Sequence, residues 1–183
     1  DGGSHHWVET IQAVREALPG AQVEVLTPDF CGDTAAVARV LDAGPHVFNH
    51  NMETIARLYR KVRPQADYQQ SLDVLRFARS HRPGVLTKSG LMVGLGESEQ
   101  EVNELLDHSR EANVDVVTIG QYLQPTRRNM AVAEHVPPPR YERWRAYGES
   151  IGLKRVFAGP FVRSSYMADL VNESARESSA GAV

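Results

Sequence analysis

Apolar positions along this chain follow two periods in turn, one near 3.6 residues and one near 2. Trp7, Val8, Ile11, Val14, Ala17 and Leu18 share one side of a helix predicted over His5 to Leu18. Ser4 is placed to cap it and Pro19-Gly20 to stop it. Gln22 to Leu26 alternates, with Val23 and Val25 on one face, and predicts a strand ending at Thr27-Pro28-Asp29-Phe30. Asp33-Thr34 caps a helix running to about Ala43, and His46 to Asn49 is a short apolar strand. Further helices are predicted over Ile55 to Val62, from Tyr68 through Leu72, Leu75 and Ala78, over Glu97 to Ala112, and from Pro137-Pro138-Pro139 through Tyr141, Trp144 and Tyr147. Strands are predicted over Val85 to Leu95, from Asp115 past Ile119, and over Leu153 to Ala158.

Strands therefore alternate with helices. That pattern predicts an α/β fold with a parallel sheet, either an open sheet or a barrel. A length of 183 residues suits one domain. The segment Asn172 to Val183, rich in Ser, Ala, Glu and Gly, is expected to fray, which leaves 1–171 as the domain. Asp1-Gly2-Gly3-Ser4 has no basic stretch and no apolar core, so it is not a signal peptide, and the chain reads as part of something longer.

Composition narrows the function classes. Hydrophobic residues make up 42% and charged residues 23%, with a net charge of -3 and both signs interspersed. Neither nucleic acid nor a membrane surface is indicated as a partner. No apolar run approaches the roughly 20 residues that a membrane span needs. The single cysteine, Cys31, excludes an internal disulfide, favours a cytosolic setting, and is expected to be a small buried or half-buried residue. No Cys or His cluster has metal-site spacing.

In parallel α/β folds, chemistry gathers at the C-terminal ends of the strands. Those ends read Thr27-Pro28-Asp29, Asn49-His50-Asn51-Met52-Glu53, Lys88-Ser89-Gly90, Gly94-Leu95-Gly96-Glu97, Gln121-Tyr122-Leu123-Gln124 and Arg163-Ser164-Ser165-Tyr166. Each has a structural reading of its own. Asn49-His50-Asn51 suits a capped turn, Gly94 and Gly96 a tight turn, Glu97 a helix N-terminus, Gln121 a surface position, and Ser164-Ser165 a cap. Six polar stretches on one rim point instead to a shared site. The dinucleotide fingerprint, the Walker A loop and the Gly-x-Ser-x-Gly elbow are all absent. Spacing alone thus defines an α/β enzyme segment that binds a small polar molecule.

Several stretches carry a resemblance. They are Asp1-Gly2-Gly3, Val23 to Phe30 with Gly32, Val47-Phe48-Asn49-His50-Asn51 with Glu53-Thr54, Leu58-Tyr59-Arg60 with Val62-Arg63-Pro64, Thr87 to Glu97, Thr118 to Pro125, and Gly159-Pro160 followed by Val162 to Tyr166 with Ala168-Asp169. In this order they resemble the C-terminal part of the lipoyl synthases, radical S-adenosylmethionine enzymes. The resemblance implies a partial TIM-like (β/α) barrel of the radical SAM type, two [4Fe-4S] clusters, and S-adenosylmethionine. The implied reaction inserts two sulfur atoms at C6 and C8 of a protein-bound octanoyl group. The implied partners are octanoylated lipoyl domains of 2-oxoacid dehydrogenase complexes or the glycine cleavage H protein. The implied compartment is the bacterial cytoplasm or the mitochondrial matrix.

The resemblance also assigns residues. It implies cofactor contacts from Asn49, His50 and Asn51 to the ribose. Gly94, Gly96 and Glu97, with Gln121, Tyr122 and Leu123, lie near the adenine. Lys88 and Arg163 meet an anion such as the methionine carboxylate, or serve as structural ion pairs. Ser165, with Ser164 as runner-up, is the implied oxygen ligand of the auxiliary cluster. Departures are mild at Ser4 and Met52, while Cys31 matches no cluster motif and both cysteine triplets of the family are absent from the chain. The segment by itself is therefore expected to be inactive and poorly soluble. The alternatives are a non-catalytic barrel segment that binds a nucleoside or a lipoyl-domain partner, and an unrelated hydrolase or aldolase with Lys88 as a Schiff-base lysine.

Overall fold

A computed structural model describes residues 1–166; the expectation of a fraying tail over 172–183 and the Ala168-Asp169 end of the last motif lie outside the described residues. Helix α1 (Ser4–Ala17) precedes strand β1 (Glu24–Leu26), and α2 (Thr34–Asp42) leads to β2 (Val47–Asn49). A short α3 (Tyr59–Val62) and the longer α4 (Tyr68–His81) cross to β3 (Leu86–Val93). Helix α5 (Glu99–Glu111) then leads to β4 (Val116–Gln121), and α6 (Pro138–Ser150) to β5 (Arg155–Gly159). All four strand pairings are parallel and the spatial order is β1-β2-β3-β4-β5. An order that never reverses has no switch point. It is the order of consecutive strands in a barrel wall, so the open-sheet reading gives way to a partial β/α barrel.

The helix ends show where local chemistry decided the boundaries. Ser4 does not cap α1; it lies inside the helix, buried, and its Oγ accepts from Arg39 Nε at 3.1 Å. Asp1 does the capping work, its carboxylate accepting from the backbone N–H of Gly3 at 2.9 Å and of His5 at 3.4 Å. Asp33 caps α2 as expected, through Ala35 and Ala36. Helix α5 starts after Ser98, not at Glu97, because Ser98 and Glu101 form a reciprocal capping box. The helix expected over 55–62 is a 3₁₀ turn (Ala56–Leu58) followed by the single turn of α3. Cys31 is exposed rather than buried, because the 3₁₀ turn Phe30–Gly32 puts Phe30 in the core and turns Cys31 outward at φ 52°.

Strand alternation sorts the side chains onto two faces. Phe48, Leu91, Val93, Val117, Ile119 and Val156 pack under the helices with Ile11, Val40, Leu75, Leu105 and Trp144. The opposite, concave face is apolar at one end, where Val47, Leu86 and Val116 meet Phe157. It turns polar toward the C-terminal ends of the strands. No described helix is long and apolar enough to cross a membrane.

Candidate functional site

Because all the strands run the same way, their C-terminal ends form one rim. A cleft of about 330 Å³ opens there, lined by Asn51, Glu53, Gly90, Leu91, Met92, Thr118, Gly120, Gln121, Leu123, Val162, Arg163 and Ser164. Glycine makes the room. A Cβ on Gly90 would stand 2.5 Å from Thr118 Oγ1 and 2.9 Å from Asn51 Oδ1, and one on Gly120 would collide with the Val162 carbonyl. The chain after β5 thus folds back over β4 and brings Arg163 and Ser164 to the cleft. Arg163 Nη1 donates to its own neighbour's carbonyl, Val162 O, at 2.7 Å.

Buried acceptors concentrate at this rim. Asn51 Oδ1, Asn49 Oδ1, His50 Nε2, Thr27 Oγ1 and Thr54 Oγ1 are buried without a hydrogen-bond partner. Asn51 donates through Nδ2 to Glu53 Oε1 at 3.2 Å, which leaves its own oxygen toward the cleft. Glu53 holds a left-handed backbone, φ 67°, that a non-glycine residue seldom adopts. Two backbone bonds to β3 impose it: Glu53 N to Gly90 O at 2.9 Å and Met92 N to Glu53 O at 2.8 Å. The twist delivers the Glu53 carboxylate to the cleft. The sequence put Glu53 in a polar rim stretch but assigned it no contact.

His50 lies behind this rim, buried, with Nδ1 2.9 Å from Thr27 O. Burial holds its imidazole below the ordinary value, and the Arg63 charge adds to that. A carbonyl only accepts, so Nδ1 carries the proton and Nε2 is a bare acceptor. Arg63, which sequence reasoning also missed, donates from Nη1 to Asn51 O at 3.0 Å and to Tyr59 Oη at 2.8 Å. It braces the turn that carries Asn51. Asp29 is buried enough to raise its carboxyl, but hydrogen bonds from Cys31 N–H and Gln70, with the His50 and Arg63 charges, bring it below its usual range.

Other expected site residues are engaged elsewhere. Lys88 lies within β3 rather than at its end. It is fully buried, with Nζ 3.0 Å from both Glu24 carboxylate oxygens. Asn49 Nδ2 donates to the same carboxylate at 2.9 Å. Of the two roles expected for Lys88, the structure supplies the ion pair, and an ammonium held this way is no free amine for a Schiff base. Glu97 closes its own turn, accepting from Gly94 N and, at 2.9 Å, from Leu95 N, with Gly94 and Gly96 at φ 102° and 100°. Gln121 turns its amide away from the cleft. Oε1 accepts from Val136 N at 2.9 Å and Tyr141 Oη at 3.2 Å, while Nε2 donates to Glu134 O at 3.0 Å and Tyr122 O at 3.1 Å. Tyr122 donates to Met130 O at 2.9 Å, and Leu123 is 57% exposed at the cleft wall. Ser164 reaches the cleft; Ser165 is exposed beside it.

The cleft therefore offers an amide oxygen and a carboxylate for hydroxyl donors, flat glycine surfaces for a ring, and a guanidinium for an anion. That donor set fits a nucleoside with a charged tail. The described residues do not by themselves make a full cluster ligand set: Cys31 is exposed, and among them no three His, Cys, Asp or Glu side chains converge on a metal site.

Comparison with known proteins defines the class. Residues 4–109 match the family model of the radical SAM superfamily, and the chain belongs to that superfamily. Among curated proteins it is similar to lipoyl synthases. It is 50% identical over its whole length to that of Rubrobacter xylanophilus, 52% identical over 93% of the chain to that of Thermus thermophilus, and 49% identical over 92% to a chloroplastic one of Oryza sativa. The chain spans 57%, 53% and 46% of those three proteins, about half of each. Among solved structures, methylornithine synthase superposes with a TM-score of 0.65 at 17% identity, over 94% of this chain and 61% of that one. Deoxyribose phosphate aldolase from Aeropyrum pernix gives 0.54 at 20%, over 93% of this chain and 67% of that one. At such identities these two likenesses speak for the barrel fold alone.

Proposed function

We propose that this chain is the cofactor-binding wall of a lipoyl synthase, the enzyme that inserts two sulfur atoms at C6 and C8 of a protein-bound octanoyl group. The observation that carries the reading is sequence identity near 50% to lipoyl synthases along the whole chain. Bound S-adenosylmethionine would supply the hydrogen-abstracting chemistry of such an enzyme. Asn51 Oδ1 and the Glu53 carboxylate accept from the ribose hydroxyls. Gly90 and Gly120 leave a flat floor for the rings, Leu123 covers one side, and Arg163 meets the carboxylate. Arg63 holds the Asn51 turn in place. Two [4Fe-4S] clusters belong to the same reading. Their cysteine ligands are not among these 183 residues, which hold one cysteine. Ser165, with Ser164 as runner-up, is the oxygen ligand this segment would contribute. The partners are octanoylated lipoyl domains or the H protein.

Calorimetry of the chain with S-adenosylmethionine tests the cofactor half of the reading. Binding is expected, and Asn51→Ala with Glu53→Ala should abolish it. Anaerobic reconstitution tests the rest. The chain alone should neither retain a cluster nor cleave the cofactor. A protein carrying this segment together with two cysteine triplets should convert an octanoyl-lysyl peptide to its lipoyl form, read by mass spectrometry. Failure of that conversion with clusters and cofactor both bound would overturn the reading. The glycine-floored cleft by itself carries a second reading, a segment that binds a nucleoside without catalysis. Cofactor binding with no turnover in any cysteine-bearing form would establish it.

A further inference from the structure

The chain leaving β2 bulges where it meets the cleft. Asn49 pairs with Lys88 and Glu53 with Leu91, so this stretch advances four residues where β3 advances three. The extra residue makes a bulge, which re-aims side chains beside a site. Here it carries Asn51 and Glu53 to the cleft. On the β3 side backbone holds it, through Glu53 N to Gly90 O at 2.9 Å and Met92 N to Glu53 O at 2.8 Å. On the β1 side the backbone turns away. The β1–β2 ladder makes the rung Thr27 N to Asn49 O at 2.9 Å. Carried on in that register, the next two rungs would join Asn51 N to Thr27 O and Asp29 N to Asn51 O. Asp29 has left the strand, at φ -78° and ψ 0°, to cap the 3₁₀ turn Phe30–Gly32. Two side chains meet the acceptors of those rungs. His50 Nδ1 donates to Thr27 O at 2.9 Å, and Arg63 Nη1 donates to Asn51 O at 3.0 Å. His50 is 1% exposed, and its backbone N–H donates to Lys88 O at 3.1 Å, so this one residue ties β1 to β3 across the root of the bulge.

We infer that His50 is a positioning residue of the cleft: its imidazole stands in for a rung of the sheet and holds the 51–53 bulge in the geometry that receives the cofactor, without touching it. The inference rests on the functional reading above for the identity of the ligand. The resemblance put His50 at the ribose beside Asn49 and Asn51. Neighbouring residues of an extended chain point to opposite faces, so the turn that sends Asn51 into the cleft sends His50 behind it. Without the imidazole N–H, the carbonyl of Thr27, a residue 5% exposed, loses its donor, and the end of β1 loses its side-chain tie to the bulge.

The test pairs hydrogen exchange of the free chain, read by NMR, with calorimetry using S-adenosylmethionine. Exchange is followed at the Glu53 and Met92 amides, with the Asp115 amide, bonded to Thr87 O at 3.0 Å at the other end of the sheet, as internal reference. His50→Leu is expected to speed exchange at Glu53 and Met92 about tenfold and to weaken cofactor binding by a similar factor, the size of one lost buried hydrogen bond. Asparagine carries an amide nitrogen the same number of bonds from Cβ as the imidazole Nδ1. His50→Asn should therefore restore both protection and affinity. Unchanged exchange in His50→Leu overturns the proposal. Exchange in His50→Asn no slower than in His50→Leu overturns it too, because the ring then only fills space. Restored protection without restored affinity shows that the imidazole touches the ligand, and again overturns it. Where His50→Leu fails to fold, by Trp144 fluorescence, His50→Gln, with its amide one bond further out, takes its place. Failure of the original chain to bind S-adenosylmethionine while its Glu53 amide is protected speaks against the functional reading, and the exchange comparison alone then decides the role of His50.

Discussion

Changing Gln121 to leucine separates a ligand contact from a latch. The family resemblance implied Gln121 near a bound adenine, whereas in the structure both ends of its amide hold the loop before α6. Leucine keeps the volume and removes every one of those bonds. Glu134 is exposed, so water can reach its carbonyl. The Val136 N–H and the Tyr141 hydroxyl are stranded in residues only 5% and 1% exposed. Each unsatisfied buried group costs roughly 1–3 kcal/mol, so the expected loss is about 3 kcal/mol. For a chain of this size that is a melting temperature lower by about 6–12 °C. Trp144 is fully buried, its ring 5.7 Å from that of Tyr141, and gives an intrinsic fluorescence probe of this region in urea unfolding. A loss under about 1 kcal/mol together with abolished S-adenosylmethionine binding would refute the latch and return Gln121 to the ligand.

Lys88→Met should cost about 3 kcal/mol by leaving Glu24 without its buried partner, and Lys88→Met with Glu24→Leu should recover most of it; equal losses in the single and double variants, by urea titration, would contradict the pairing. Glu53→Gly should be more stable than Glu53→Ala by about 1 kcal/mol, since φ 67° is natural to glycine alone, while both lose cofactor affinity; identical melting curves would remove the strain argument. His50 is held below its ordinary 6.5, so below that pH the unfolded chain binds a proton that the native chain refuses. Stability should therefore fall as pH drops from 7 through 6.5 toward the native value, and His50→Gln should flatten that slope in denaturant midpoints taken between pH 5 and 7.

Much of the fold was legible because the signals are local. Alternation at Gln22 to Leu26 and short apolar runs elsewhere gave every strand of the sheet, and Asp33 and Pro19 punctuated helices through contacts a few residues away. The errors were local too. Ser4 was read as a cap when Asp1 was nearer the free amides, and Ser98-x-x-Glu101 went unread beside the more prominent Glu97.

The site divides differently. That Asn51, Gly90, Gly120 and Arg163 share one rim follows from parallel strands, which the alternation of strands and helices already implied, while their order came only from the structure. Which polar groups are free and which are engaged did not follow. Lys88 meets a carboxylate 64 residues before it, Gln121 holds groups up to 20 residues after it, and Glu53 is aimed by two hydrogen bonds from β3. Residue type and period are properties of a segment, and so the chain alone determined the strands, the helices and the polar rim. Hydrogen-bond satisfaction is a property of pairs brought together by packing, and only the folded barrel wall decided that Asn51 and Glu53 face the cleft while Lys88 and Gln121 hold the frame around it.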